Sequence, residues 1–185
     1  MKSKYVATVI AVAATFGVLS GIALAAQDRY TLKVPNGLAF SEFRGYERWG
    51  VIAISQNGPV IAAILGNYVM VAAYRSGIPG NGKPFPDGAK MAKIHWIPRT
   101  NDKDPGHPVQ PGTLHDVDFM VKDSKRFADS GGWGWAEFEY DATSKTFRPG
   151  TMSDKPPQGN DAKCGFECHT EAKDRDYVFT AYANR

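Results

Sequence analysis

The stretch Cys164-Gly165-Phe166-Glu167-Cys168-His169 holds both cysteines of the chain and one of its four histidines. Two thiols followed at once by an imidazole form the arrangement that attaches a c-type haem. Each sulfur makes a thioether to a haem vinyl group, and the histidine becomes an axial iron ligand. The usual spacing places two residues between the cysteines, and here there are three. On a helix, positions i and i+4 share a face, so both sulfurs can still reach one edge of a macrocycle. Two other chemistries use the same residues. In an oxidising compartment Cys164 and Cys168 can close a disulfide, leaving His169 an ordinary surface residue. A small metal site is the third, although two thiols and one histidine leave a fourth ligand undefined.

The N-terminus bears on that choice. Lys2 and Lys4 form a positive head, Tyr5 to Leu24 is almost wholly apolar or small, and Ala23-Leu24-Ala25 fits a signal-peptidase site. The run approaches the length of a membrane-spanning helix, but its small residues and the polar Gln27-Asp28-Arg29 that follow favour cleavage. Residues 1–25 are therefore read as a signal peptide and 26–185 as a single domain, exported to the periplasm. Thioether attachment of haem in bacteria belongs to that same side. The formal net charge of +3 falls to about +1 once Lys2 and Lys4 are removed. With no clustered basic face, a nucleic-acid partner is excluded.

The elements that must position these residues are short. Val51 to Ser55 and Val60 to Leu65 are apolar runs joined by the turn residues Gln56-Asn57-Gly58-Pro59, which predicts a hairpin. Tyr68 to Arg75 has helical spacing and stops at Gly77 and Pro79. Ala89 to Ile97 reads as a strand and Thr100 to Gly112 as a polar connection. Leu114 to Val121 alternates, with Val117, Phe119 and Val121 on one face and Asp116, Asp118 and Met120 on the other. Asp123-Ser124 opens a short helix that ends before Gly131-Gly132. Trp133 to Tyr140 is an aromatic strand, Asp141 to Lys163 is mostly loop, and Cys164 to Lys173 with Tyr177 to Tyr182 make a final helix or two. The sum is an α+β fold, mainly an antiparallel β-sheet with flanking short helices.

Three strings in register carry a family likeness. They are Phe85-Pro86-Asp87-Gly88 followed by Lys93, then Val121-Lys122-Asp123-Ser124-Lys125-Arg126-Phe127, then Cys168-His169 with Val178-Phe179-Thr180. With Tyr46 to Trp49 and the Trp133 to Tyr140 strand, the chain resembles the cytochrome P-460 family of periplasmic c-type haem proteins, cytochromes c′-beta included. The resemblance implies one covalent haem c per chain and its iron. It further implies attachment through Cys164 and Cys168, His169 as proximal ligand, an open sixth position and a homodimer. It also implies a small nitrogenous partner, hydroxylamine or nitric oxide, and a soluble redox partner. In the founding members a lysine shortly after F-x-D-G is joined covalently to the macrocycle. Lys93 matches that position, five residues after Gly88, with Lys90 as its nearby competitor. Two features depart from the pattern: the extra residue between the cysteines, and the uniformly apolar Val60 to Leu65 where relatives that oxidise hydroxylamine bring an arginine.

Among the remaining candidates, Asp118 is either a solvated strand carboxylate or a proton acceptor in the distal pocket. His95, His107 and His115 are each a plain polar residue or a second axial ligand, which would make the iron six-coordinate. Trp133, Trp135, Phe138 and Tyr140 read as sheet packing. Two functions follow for a haem protein: oxidation of hydroxylamine, or non-catalytic binding of nitric oxide and electron transfer. A cofactor-free secreted domain stapled by a disulfide is the third.

Overall fold

The computed structural model describes residues 26–34, 37–150 and 160–184; the signal reading of residues 1–25 lies outside them. Six strands form one antiparallel sheet in sequence order. They are β1 (Gly50–Asn57), β2 (Val60–Gly66), β3 (Lys90–Thr100), β4 (Val109–Lys122), β5 (Trp133–Asp141) and β6 (Thr146–Pro149). Helix α1 (Tyr68–Arg75) follows β2, and helix α2 (Asn160–His169) follows β6 and runs into a 3-10 segment, Thr170–Arg175. The α+β expectation, mainly an antiparallel sheet with few short helices, holds. Among the described residues no helix is long and apolar enough to cross a membrane.

Alternation along β4 assigns the two faces of the sheet. Val117, Phe119 and Val121 turn to one core, where the N-terminal residues Val34, Leu38, Phe40, Phe43 and Tyr46 cover them. Phe43 stacks on Phe119 with centroids 4.1 Å apart. The other face carries Met91, Met120, Trp133 and Trp135, packed against Met70 and Tyr74 of α1, against Phe85 and against Val178. Three cross-strand rows run over this second face. Met91, Met120 and Trp135 make an apolar row; Ile64, Lys93, Asp118 and Glu137 the next; Ala62, His95, Asp116 and Glu139 the third. One face thus passes from apolar to charged within three pleats.

Five features differ from the sequence reading. β4 begins at Val109, inside the expected connection, because Pro98 and Pro111 face each other next to a register shift instead of ending the ladder. β6 pairs with β5 inside the expected loop, and α2 starts at Asn160. The helix expected at Asp123-Ser124 is a turn followed by a 3-10 segment, Ala128–Ser130, stopped by Gly131. Tyr177 to Tyr182 is not helical. Asp176 and Tyr177 both take left-handed backbone angles, φ 51° and 64°, which break the helix. The chain beyond is tied instead to the sheet and to α1: Ala183 N donates to Ile52 O, and the Tyr74 hydroxyl donates to Thr180 O.

The two family strings anchor one another. Asp87 of Phe85-Pro86-Asp87-Gly88 accepts from both the backbone N and the hydroxyl of Ser124. Asp123 caps its own turn through Arg126 N. Arg126 forks onto Glu42 at 2.7 and 3.2 Å, and Phe127 is buried in the first core. Lys122 reaches the C-terminal turn: its Nζ donates to Asp176 Oδ1 at 2.7 Å and to Gly131 O at 3.0 Å. Asp176 Oδ2 accepts from Phe85 N at 2.8 Å. The two side chains of this ion pair are 6% and 12% exposed. Removing one partner of such a pair strands the other charge in low dielectric, which costs about 3–5 kcal/mol. Lys122→Met is therefore expected to lower unfolding free energy by about that amount in urea titrations. A loss under 1 kcal/mol would mean that the pair is effectively solvated.

Candidate haem site

His169 ends α2, and its ring sits between Trp135 of β5 (centroids 5.6 Å apart) and Phe179 (5.0 Å). Its Nδ1 lies 2.6 Å from the carbonyl oxygen of Tyr177. A carbonyl only accepts, so Nδ1 carries the proton and Nε2 keeps its lone pair. Burial depresses the imidazole pKa and the nearby Lys93 charge adds to this, while the Tyr177 carbonyl pulls the other way; the net direction is down. The ring is thus held neutral, with one nitrogen in the form that binds a metal. A hydrogen bond from the second nitrogen is what orients a histidine ligand.

The left-handed pair Asp176-Tyr177 presents that carbonyl. Gly131 makes room for it: at φ 68°, a Cβ there would lie 2.2 Å from the Tyr177 ring. A glycine also sets how closely α2 approaches the sheet. A Cβ on Gly165 would meet Trp135 at 2.7 Å. The backbone from Asn160 to His169 is helical, which gives the two cysteines the i, i+4 relation. Cys168 is an exposed free thiol and so is not in the disulfide that the sequence left open. The Cys164 side chain lies outside the described residues.

Between α2, the sheet and the tail lies a cavity of about 540 Å³. Cys168, His169, Gly165 and Phe179 line it on one side, and Ile64, Met91, Lys93, Asp118, Trp135 and Glu137 line the sheet side. Four of the five site residues expected from sequence therefore meet in one place. Lys93 lines the cavity, whereas Lys90 points to the other face, donating to Glu42 O at 2.6 Å above the Phe43 ring. Asp118 is 43% exposed at its side chain and faces the cavity beside Lys93, its cross-strand partner. His95, His107 and His115 do not line it. His95 is buried against Asp116, His115 bonds the same carboxylate, and His107 sits exposed in the β3–β4 loop.

Sequence reasoning missed Tyr177, Phe179 and Glu137 as parts of the site and took Trp135 for packing alone. Trp135 does pack, but it is also the cavity wall against which α2 and His169 rest. The alternation of Trp133 to Tyr140 placed Glu137 on the Trp135 face, a signal available without coordinates.

The sequence model of the family described as Cytochrome P460 matches residues 43–180. The chain belongs to the cytochrome P460 family. No curated protein matched it. The family's cofactor is a haem with its iron, and the residues present fit that group. A neutral imidazole with its outer nitrogen already bonded, a thiol beside it and aromatic and methionine walls line one cavity of ligand-binding size. In this cytochrome P460 fold Gly165 sets the distance between the histidine-bearing helix and the sheet. Alanine is the better helix former by about 1 kcal/mol, so a merely exposed glycine would gain stability on substitution. Contact with Trp135 reverses the sign. Gly165→Ala is expected to lose about 1–2 kcal/mol in urea unfolding and to shift Trp emission; a gain in stability would mean that α2 does not rest on Trp135.

Proposed function

We propose that this cytochrome P460 protein is a periplasmic c-type cytochrome that oxidises hydroxylamine. It carries one haem, held by thioethers from Cys164 and Cys168, with His169 as the proximal iron ligand. The observation that supports the reading best is that Lys93 and Asp118 line the same cavity as Cys168 and His169. When bound, the haem supplies a redox-active iron with one coordination position open to a small molecule. The chain supplies the rest. His169 offers Nε2 because Tyr177 holds the proton on Nδ1. Asp118 is half-exposed at the cavity and accepts the protons that an N–H compound loses on oxidation. Met91, Met120 and Trp135 keep water from one side of the site. To Lys93, which lines the cavity, we assign the covalent link to the macrocycle that the founding members carry. A soluble redox partner and a homodimeric assembly complete the proposal.

One observation favours a second reading, a haem protein that binds nitric oxide without turning it over. β2 contributes Ile64 to the cavity, and among the described lining residues there is no arginine. Turnover of hydroxylamine with an electron acceptor separates the two. Lys93→Ala is expected to keep the haem on the Cys164–Cys168 peptide while losing both the red-shifted absorption of the reduced protein and the turnover. Lys90→Ala, on the opposite face, leaves both in place. An ordinary c-type spectrum in the wild type, with haem mapped to the cysteine peptide alone, would move the protein to the nitric-oxide-binding reading. His169→Gly is expected to lose the proximal bond and to recover part of its spectrum when imidazole is added. An unchanged spectrum in that variant would exclude His169 as the ligand.

A further inference from the structure

We propose that His95, Asp116 and Asp118 form a second metal site, for a divalent first-row transition ion of the Zn²⁺ type, beside the cavity. The site rests on the strand geometry alone and does not depend on the haem assignment. His95 on β3 stands directly opposite Asp116 on β4, and Asp118 is two residues further along the same face. One donor atom from each lies within 4.8 Å of the other two. His95 Nδ1 is hydrogen-bonded to Asp116 Oδ1 and is 3.7 Å from Asp118 Oδ2. An ion with bonds of about 2.0–2.2 Å holds its ligand atoms roughly 3.4 Å apart. Asp118 is a few tenths of an ångström from that spacing to His95 and within 4.8 Å of Asp116, and the His95–Asp116 contact opens by a side-chain rotation. The ion then takes the place of the proton shared between them, and His95 carries its remaining proton on Nε2.

The surroundings are those of a built site. The His95 and Asp116 side chains are 11% and 10% exposed and sit on paired strands, so two of the three ligands are held side by side before binding and need only a rotation to admit the ion. His115 bonds the other oxygen of Asp116, the outer contact that orients a ligating carboxylate. Burial works to raise the Asp116 pKa, but the hydrogen bonds from His95 and His115 outweigh it, and the group lies below the usual carboxylate range. The charged neighbours in register are Glu137 and Glu139 on β5 and Lys93 on β3, with Arg148 of β6 paired to Glu139. Two carboxylates balance a divalent charge. The imidazole nitrogen selects a transition ion over Mg²⁺ or Ca²⁺, and three protein ligands leave a fourth position for water or a small ligand. Asp118 also lines the haem cavity, so an ion held here competes for the carboxylate assigned to proton acceptance.

The test is a Zn²⁺ titration of the purified, haem-loaded protein after chelator treatment, followed by calorimetry, with haem content measured separately. One saturable equivalent is expected, not displaced by equimolar Mg²⁺. Asp118→Asn and His95→Gln are each expected to weaken it about 100-fold or more, and His115→Ala about 10-fold, as befits ligands and an outer partner. Asp118 is half-exposed, so Asp118→Asn keeps the test standing if the buried His95 variant misfolds. Absence of binding by the wild-type protein overturns the proposal. So does equal stoichiometry and affinity in wild type and Asp118→Asn, which would place the ion elsewhere.

Discussion

The site depends on a buried ion pair that touches none of its chemistry. Lys122 ends β4 and Asp176 lies in the C-terminal turn, and their side chains are 6% and 12% exposed. Two charges taken out of water hold together only when their remaining donors and acceptors are also satisfied. Here Gly131 O takes a second proton of Lys122, and Phe85 N supplies the second oxygen of Asp176. The turn is therefore fixed at two points, to the end of β4 through Lys122 and to the loop before β3 through Phe85. Its next residue, Tyr177, turns its carbonyl to His169 Nδ1. The protonation state of the imidazole is thus set through the backbone by a contact one residue away in sequence.

The same economy explains why the family strings are recognisable without an alignment. Within Lys122 to Phe127 the side chains of Lys122, Asp123, Ser124, Arg126 and Phe127 each make an anchoring contact: to the turn, to the local cap, to Asp87, to Glu42 and to the first core. Together they fasten the N-terminal cover, the loop before β3 and the C-terminal turn around one end of β4. The chemistry is then left to the pleat. Residues two apart on β3 and β4 step from methionine to the Lys93–Asp118 pair to the His95–Asp116 pair over about 13 Å of one sheet face.

Much of this was legible in the sequence, and for identifiable reasons. The hairpin, α1 and the two faces of β4 depend on local periodicity and turn residues, which act over a few positions. The i, i+4 cysteine relation needed only a helix. Lys93 over Lys90 came from a family register; in the sheet the two stand on opposite faces, Lys93 toward the cavity and Lys90 toward Glu42. What could not be read was set by contacts between distant segments. Val178 to Tyr182 carries residues a helix would accept, yet two left-handed residues before it and bonds to Ile52 and Tyr74 keep it out of a helix. The carbonyl partner of His169 is a backbone atom, and backbone atoms leave no mark in composition. Asp116 showed as one polar residue on an alternating strand. Its two imidazole partners appear only once β3 pairs with β4.

The central proposal is that Cys164 and Cys168 of α2 hold a haem covalently in the cavity that Cys168 and His169 line. Intact mass of the mature protein under denaturing conditions, after expression with functional haem-maturation machinery, tests it most directly. The account predicts a single species heavier than the polypeptide by one haem, resistant to acid-acetone extraction. A mass equal to the bare polypeptide under the same conditions would contradict it.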